Sequence, residues 1–438
     1  MSDFKHLYHL VDKKNPDESI KQISHYLEEI KKKKGIQASY NLLLRLEVVL
    51  GLRKPRVAIY DNALHFIGGA QKYGCTLAQS LQDIFDVTLI SHQKVTLSQL
   101  QNWYGLDLKK CNTKVVKIPY FEERKEKIHA FDAGEVDLRK ENPFHAISVE
   151  SGEYDFFINN CMLEMVYPLS NISEFVCHFP ERERSRFFHV DQYTHIIGNS
   201  KYTGEWIKKK WNLEPNKIFY PPVEMVDLSQ STHKEKTILS VSRFELSGKK
   251  QQLEMVKIFG RMLKKFPQKT KGWNMVIAGG SIDENLYLDR VHKASKSLPS
   301  GKVELRVDIS LNELKELYRK ASIFWHLTGL EQIDPERAEH FGMTTVEAMQ
   351  NRCVPVVYKG GGQKEIVQEH INGLFFETRE ELVNKTIELM DSKPLLEKIG
   401  KLAYERGKEF TKKSFQNKVK KHFEEILEEY CSKGVGLA

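Results

Sequence analysis

Cysteine and long apolar runs are both scarce in this chain of 438 residues. Its six cysteines (Cys75, Cys111, Cys161, Cys177, Cys353, Cys431) stand far apart with no CxxC pair. That excludes a disulfide scaffold and predicts reduced, mostly buried thiols in a cytosolic protein. No run reaches the roughly 18 apolar residues of a membrane span. The opening stretch MSDFKHLYHLVDKKNPDESI lacks the apolar centre of a signal peptide. A cytoplasmic protein is expected, in contact with a membrane at most peripherally, at its surface. There is no repeat of solenoid period and no low-complexity tract.

Acidic residues are the minority charge: 67 Lys and Arg against 59 Asp and Glu give a net charge of +8. An excess of this sign suits an anionic ligand or an acidic surface and says nothing about fold. Part of it is local, in KKKK at 31–34 and KKK at 208–210, runs that suit solvated helix faces. Hydrophobic residues at 40% and charged residues at 29% are enough to bury a core.

Length suggests two or three domains. Residues 1–54 have helical, amphipathic spacing, as in SIKQISHYLEEIKKKKG and SYNLLLRLEVVLGL. RVAIYD (56–61) is a short apolar run, GGAQKYGCTLAQSLQDI has helical spacing, and DVTLIS is a second strand. That order predicts a parallel sheet. KVVKI, YDFFIN, EFVCHF and THIIGN follow as further strands, then a helix in SKYTGEWIKKKW. YPPVEM (220–225) interrupts with two prolines and reads as a linker. A second alternation starts at KTILSVSR (236–243) and runs through WNMVIAGG, VELRV, ASIFWHL and CVPVVY. The expected fold is α/β, with two doubly wound Rossmann-like domains, 55–222 and 223–411, facing a central cleft. An N-terminal helical extension (1–54) precedes them. A C-terminal helix (412–438) is expected to pack back on the first domain. Ligands of such sheets sit at the carboxyl ends of the strands.

Four stretches fall at those ends. HFIGGAQ places Gly68 and Gly69 before a helix, where backbone N–H groups can face an anion. SVSRFELSGKKQQ places Arg243 and Lys249 past a strand. A charge pair about 4 Å apart is worth about 4 kcal/mol at an effective dielectric near 20, so two cations can neutralise a diphosphate. EFVCHFP ends a strand with His178. AEHFGMTTVEAM holds Glu339 and Glu347 around a helix expected to begin near Gly342, whose amides favour phosphate. Carboxylates beside a diphosphate would repel it unless they accept hydrogen bonds from neutral hydroxyls, such as those of a ribose and a hexose. The plainer alternatives are glycine turns, surface cations, a packed core histidine and an exposed helix acid.

EHFGMTTVE is similar to the E-x7-E motif of retaining glycosyltransferases of family 4, which have the GT-B fold. GGAQ, the histidine of CHFP, SR…GKKQ, IAGG and GGGQKEI…NGLFF follow the same order, from about residue 56 to 376. VCHFP, YPPVEM and EHFG look closest to the α-1,2-mannosyltransferases that extend lipid-linked oligosaccharides; their membrane-anchored eukaryotic members have a spanning helix, a feature this chain lacks. The resemblance implies that Gly68 and Gly69 approach the donor phosphates and that His178 lies by the transferred sugar. Arg243 and Lys249 hold the diphosphate, with Lys250 as the alternative in register. Glu339 contacts the donor sugar, Gly342, Met343 and Thr344 offer backbone amides, Phe341 belongs with them to the donor-binding set, and Glu347 binds ribose. The stretch 329–338 is longer than in many members.

The expected function is retaining transfer of a hexose, with mannose the leading candidate, from a GDP- or UDP-linked sugar. The acceptor is an unidentified hydroxyl on a glycan, a lipid-linked chain or another molecule. No DxD pair occurs, so neither metal nor cofactor is expected. The resemblance implies front-face attack, with the leaving diphosphate helping to deprotonate the acceptor. A glycoside hydrolase using Glu339 and Glu347 would have no need of paired cations and glycine loops. A nucleic-acid acceptor, which would use the +8 charge, and a non-catalytic nucleotide-sugar-binding protein stand as the alternatives.

Overall fold

The computed structural model describes residues 3–118, 142–181, 183–225, 233–281 and 284–432. Two compact units emerge. The first comprises Met1–Asn199, Gly204–Phe219 and Phe415–Ala438, and the second Ser200–Thr203 and Tyr220–Ser414.

The first unit is built on seven parallel strands, the central ones short apolar runs and the edge strands β3 and β7 more exposed. They are β1 (Arg56–Tyr60), β2 (Asp86–Ser91), β3 (Cys111–Val115), β4 (Phe156–Asn159), β5 (Ile172–Cys177), β6 (His195–Gly198) and β7 (Lys217–Ile218). Their order is β3-β2-β1-β4-β5-β6-β7, so the strand order reverses between β1 and β4. The third strand begins earlier than KVVKI suggests. Pairing with β2 sets its register, Val87 opposite Cys111 and Ser91 opposite Val115.

The helix Lys412–Ser432 presents Phe415, Val419, Phe423, Ile426 and Tyr430 at helical spacing to the core formed by β1, β2 and β4. Helices Asp3–His9, Pro16–Lys34 and Ile36–Val49 belong to the same unit. Pro16 opens the second of these behind an Asn15 cap. Lys31–Lys34 form its last turn, where cations complement the helix dipole. Asp155, wholly buried, anchors this end of the unit. It takes a bidentate bond from Arg53 (2.6 and 3.0 Å), one from the Tyr430 hydroxyl (3.0 Å) and one from the Arg56 amide (2.8 Å). A buried carboxylate needs that set of donors to offset its lost hydration.

The second unit has six parallel strands: β8 (Glu235–Val241), β9 (Asn274–Gly279), β10 (Val303–Val307), β11 (Ala321–His326), β12 (Val354–Tyr358) and β13 (Leu374–Phe376). The order β10-β9-β8-β11-β12-β13 is again doubly wound, reversing between β8 and β11. The proline stretch is tied down rather than loose. Val223 forms a parallel bridge with Thr411, its N–H bonded to the Phe410 carbonyl at 3.1 Å. All six cysteines are free thiols, four of them buried. Among the described residues no helix is long and apolar enough to cross a membrane.

Candidate functional site

In the first unit, chemistry gathers at the carboxyl ends of β1, β4 and β5, the region of the switch in strand order. Asp61, Asn160 and His178 are the residues following or closing these ends. Asp61 is buried and accepts from the Ala63 amide (2.8 Å), Gln71 (3.2 Å) and Asn160 Nδ2 (2.8 Å). Burial pushes its carboxyl up, opposed by these three hydrogen bonds. The Asn160 carbonyl lies 3.2 Å from His178 Nε2. A carbonyl only accepts, so Nε2 donates and Nδ1 keeps the lone pair. Burial pushes His178 down to about 4 against that bond, and the Tyr73 ring meets it edge-on at 5.4 Å. The histidine is therefore held neutral and fixed in tautomer.

Gly68 caps the helix Gly69–Leu81 as expected of the GGAQ turn. Its N–H, however, donates to the Tyr104 hydroxyl at 3.2 Å. A ligand taking the Gly68 amide would displace the Tyr104 hydroxyl from it.

In the second unit the AEHFGMTTVEAM stretch takes shape around Gly342. That residue caps the helix Met343–Gln350 at φ +117°, a conformation that side-chain-bearing residues rarely adopt. The three-glycine loop then approaches Glu339 from the other side. The Gly362 N–H donates to the Glu339 carbonyl at 2.8 Å, and a Cβ at Gly361 would lie 2.1 Å from that oxygen. Bulk at the loop would displace Glu339 itself.

The Glu339 side chain is 17% exposed and its Oε2 receives the Lys250 ammonium at 2.9 Å and His326 Nε2 at 3.1 Å. Burial alone would raise this carboxyl. Lys250 and His326 outweigh that and hold it well below the usual carboxylate range. His326 closes β11, next to β8 at the second switch in strand order. Sequence reading missed His326 altogether and had Lys250 only as the alternative to Lys249. A histidine at the end of a wholly buried strand was the available signal.

Arg243 follows β8 with its side chain 72% exposed and 3.3 Å from Glu245. Gln252 holds the backbone beneath it, donating to the Arg243 carbonyl at 2.8 Å. Lys249 lines a cleft of about 250 Å³ with Gly248, Tyr287, Arg290 and Arg337. It is therefore Lys250 that reaches Glu339, while Lys249 lines a cleft that also holds Arg290, Arg337, Lys257 and Glu254. Glu347 accepts from the buried Tyr318 hydroxyl at 2.8 Å. Phe341 is 3% exposed and stacks on Tyr220 with ring centres 5.3 Å apart, so its ring serves packing. Met343 and Thr344 begin the helix and are partly buried. The stretch 329–338 is organised by a 3-10 turn, Pro335–Arg337, capped by Asp334. From it the Glu336 carbonyl takes His340 Nε2 at 3.2 Å.

Residues 223–406 match the family described as Glycosyl transferases group 1. The chain is 33% identical over 130 residues to an uncharacterised glycosyltransferase of Methanocaldococcus jannaschii. That match covers 28% of this chain and about a third of the relative, 34% of its length. Among solved structures, Anabaena HepE in complex with UDP and glucose superposes with a TM-score of 0.63 at 15% identity, covering 85% of this chain and 100% of that one. Sucrose-phosphate synthase from Thermosynechococcus elongatus gives 0.63 at 14%, covering 86% and 99%. At these identities the likeness is one of fold: two parallel-sheet Rossmann-like domains of the GT-B type.

Proposed function

We propose that the chain is a retaining glycosyltransferase that moves a hexose from a UDP- or GDP-linked sugar to a hydroxyl acceptor without a metal ion. The observation that carries the reading is the ionised Glu339, fixed by Lys250 and His326 one turn before a glycine-capped helix that carries Glu347. This constellation lies inside the glycosyltransferase group 1 match. A carboxylate kept charged in a mostly buried site accepts hydrogen bonds from sugar hydroxyls strongly. The helix amides beyond Gly342 suit phosphate.

In the reaction the bond from the anomeric carbon to the diphosphate oxygen breaks. A bond to the acceptor oxygen forms on the same face, and the acceptor proton passes to the departing phosphate. Arg243 and Lys249 counter the charge that grows on that phosphate. Glu339 orients the hexose and Glu347 the ribose. His178, neutral, positions the transferred sugar. Mannose heads the candidate sugars, from the likeness of VCHFP and EHFG to the α-1,2-mannosyltransferases. The uridine diphosphate in the HepE structure keeps UDP beside GDP.

The test is a panel of UDP- and GDP-sugars with the full chain, reading nucleoside diphosphate release and, with an accepted acceptor, the anomeric configuration by NMR. Release from one donor with the anomeric configuration retained is expected. An inverted product, or release from none of the panel, overturns the reading.

A further inference from the structure

We infer that Glu174, His195 and His422 bind one divalent metal ion, Zn2+ by preference, at the end of the first unit's sheet opposite His178. Glu174 lies on β5, His195 opens β6, and His422 comes from the helix Lys412–Ser432. Glu174 and His195 are register neighbours in the parallel ladder. Both stand near the amino ends of their strands, whereas His178 follows the carboxyl end of β5. The cluster is thus separate from the residues assigned to sugar transfer.

The ligand atoms of the three side chains all lie within 4.8 Å of one another, and among the described residues this is the group of three or more so arranged. His422 Nε2 is 2.7 Å and His195 Nδ1 3.5 Å from the same Glu174 oxygen. Zinc bonds of about 2.0–2.2 Å in a tetrahedron put ligand atoms roughly 3.3–3.6 Å apart; His195 Nδ1 already stands at that spacing from the Glu174 oxygen, and the His422 ring must move back by roughly 0.6–0.9 Å to admit the ion. Two imidazoles and a carboxylate fill three positions and leave the fourth for water.

Two features are hard to explain without an ion. Glu174 is 3% exposed and His422 5%, and a carboxylate buried this deeply needs more than one imidazole contact to offset its desolvation. His195 Nδ1 is itself buried yet makes no hydrogen bond, although it is directed at Glu174. A cation between the three atoms satisfies both. The Phe219 and Phe423 rings pack on His422 with centres 5.4 Å away and give the ion a dry wall. The His195 side chain, 21% exposed, offers the way in. Such an ion would cross-link β5, β6 and a helix more than 200 residues later in the chain, securing the helix to the sheet.

The full chain, purified without a histidine tag and stripped by a chelator, is titrated with Co2+ or Zn2+ alone. One equivalent of Co2+ with the visible absorption of a tetrahedral site is expected. Zn2+ at a hundred times its Kd should favour the folded state about 100-fold, read as a rise in Tm. His195→Ala removes the ligand at the rim and leaves the Glu174–His422 bond in place, so it should fold and lose affinity by more than about tenfold. Glu174→Gln, near-isosteric, should also fold and fail to bind. Melting unchanged by Zn2+, or Co2+ uptake that persists in folded His195→Ala, overturns the site and leaves a buried Glu–His hydrogen bond in its place.

Discussion

The Lys250 ammonium lies 2.9 Å from Glu339 Oε2, across 89 residues of chain, and His326 meets the same oxygen at 3.1 Å. Three elements therefore agree on where one carboxylate sits: the loop after β8, the end of β11 and the approach to the helix Met343–Gln350. Lys250→Met keeps the stem of the side chain and removes the charge. It is expected to cost about 1.5–3 kcal/mol in urea unfolding, because Glu339 is left mostly buried with one partner fewer. The cost in the Glu339→Gln background should be much smaller. Equal costs in both backgrounds would show that the contact contributes nothing.

Glu347→Ala removes the proposed ribose ligand and also strips the buried Tyr318 hydroxyl of its acceptor. Donor affinity should fall by about 1.5–3 kcal/mol, measured by calorimetry with the nucleoside diphosphate. Tyr318→Phe separates the two effects. It removes the internal bond alone, so it should lower stability while leaving nucleotide affinity within about threefold. If both variants weaken binding equally, Glu347 acts through packing and the ribose assignment fails.

His178 is held neutral with Nε2 on the Asn160 carbonyl. His178→Ala is expected to lower turnover about 10²-fold while moving donor Kd by less than about threefold. Steady-state kinetics beside nucleotide titration would check this, and equal changes in both, or none, would point to a packing histidine.

The same burial has a pH consequence. His178 and His92 are pushed down to about 4 and His340 to about 3, in each case chiefly by burial. Unfolded histidines take up protons as the pH falls through about 6.5, and the folded ones do not until it is far lower. The unfolded state then binds more protons, so stability must fall as the pH drops from about 6.5 towards 4. Glu339, held well below its usual range, acts in the same direction at the acid end. Urea midpoints across that window should decline steadily and show a smaller slope in His178→Asn. A flat profile would contradict the burial of these rings.

Much of this was readable in advance, for physical reasons that differ by element. Strands such as RVAIY and ASIFWH are covered on both faces, so they are unbroken apolar runs with turn residues at each end, and both sheets follow from their spacing. The helix start near Gly342 was legible from the glycine that precedes the helical run MTTVEAM, whereas its φ of +117° is set by the fold. The strand at Cys111 was misplaced because its register is set by β2, outside its own sequence. The partners of Glu339 stayed hidden for the same reason. Lys250 and Lys249 are adjacent cations in one loop, and only the fold decides which of them turns to the carboxylate. Asp61 and Asn160 carry no local motif, yet the ends of β1 and β4 bring them together beside His178.

The final prediction concerns the charge that grows on the leaving diphosphate. Many transferases stabilise it with a divalent ion held by carboxylates. This chain has no DxD pair and offers instead Arg243, Lys249 and the amides at the start of the helix Met343–Gln350. Arg290 and Arg337 line the same cleft as Lys249, as do Lys257 and Glu254, which pair with each other, so cations outnumber acids there. Charges fixed in place before the reaction stabilise the transition state without reorganising. Arg243→Ala and Lys249→Ala should therefore each lower turnover about 10²–10³-fold. Lys249→Arg should also be impaired, because a planar fork does not replace a compact ammonium. Chelated enzyme, assayed well below its Tm so that loss of a structural ion is not read as loss of catalysis, should gain no turnover from added Mg2+ or Mn2+. Turnover that disappears on chelation and returns only with one of those ions would refute the metal-free mechanism. It would also remove the reason for placing Arg243 and Lys249 at the diphosphate.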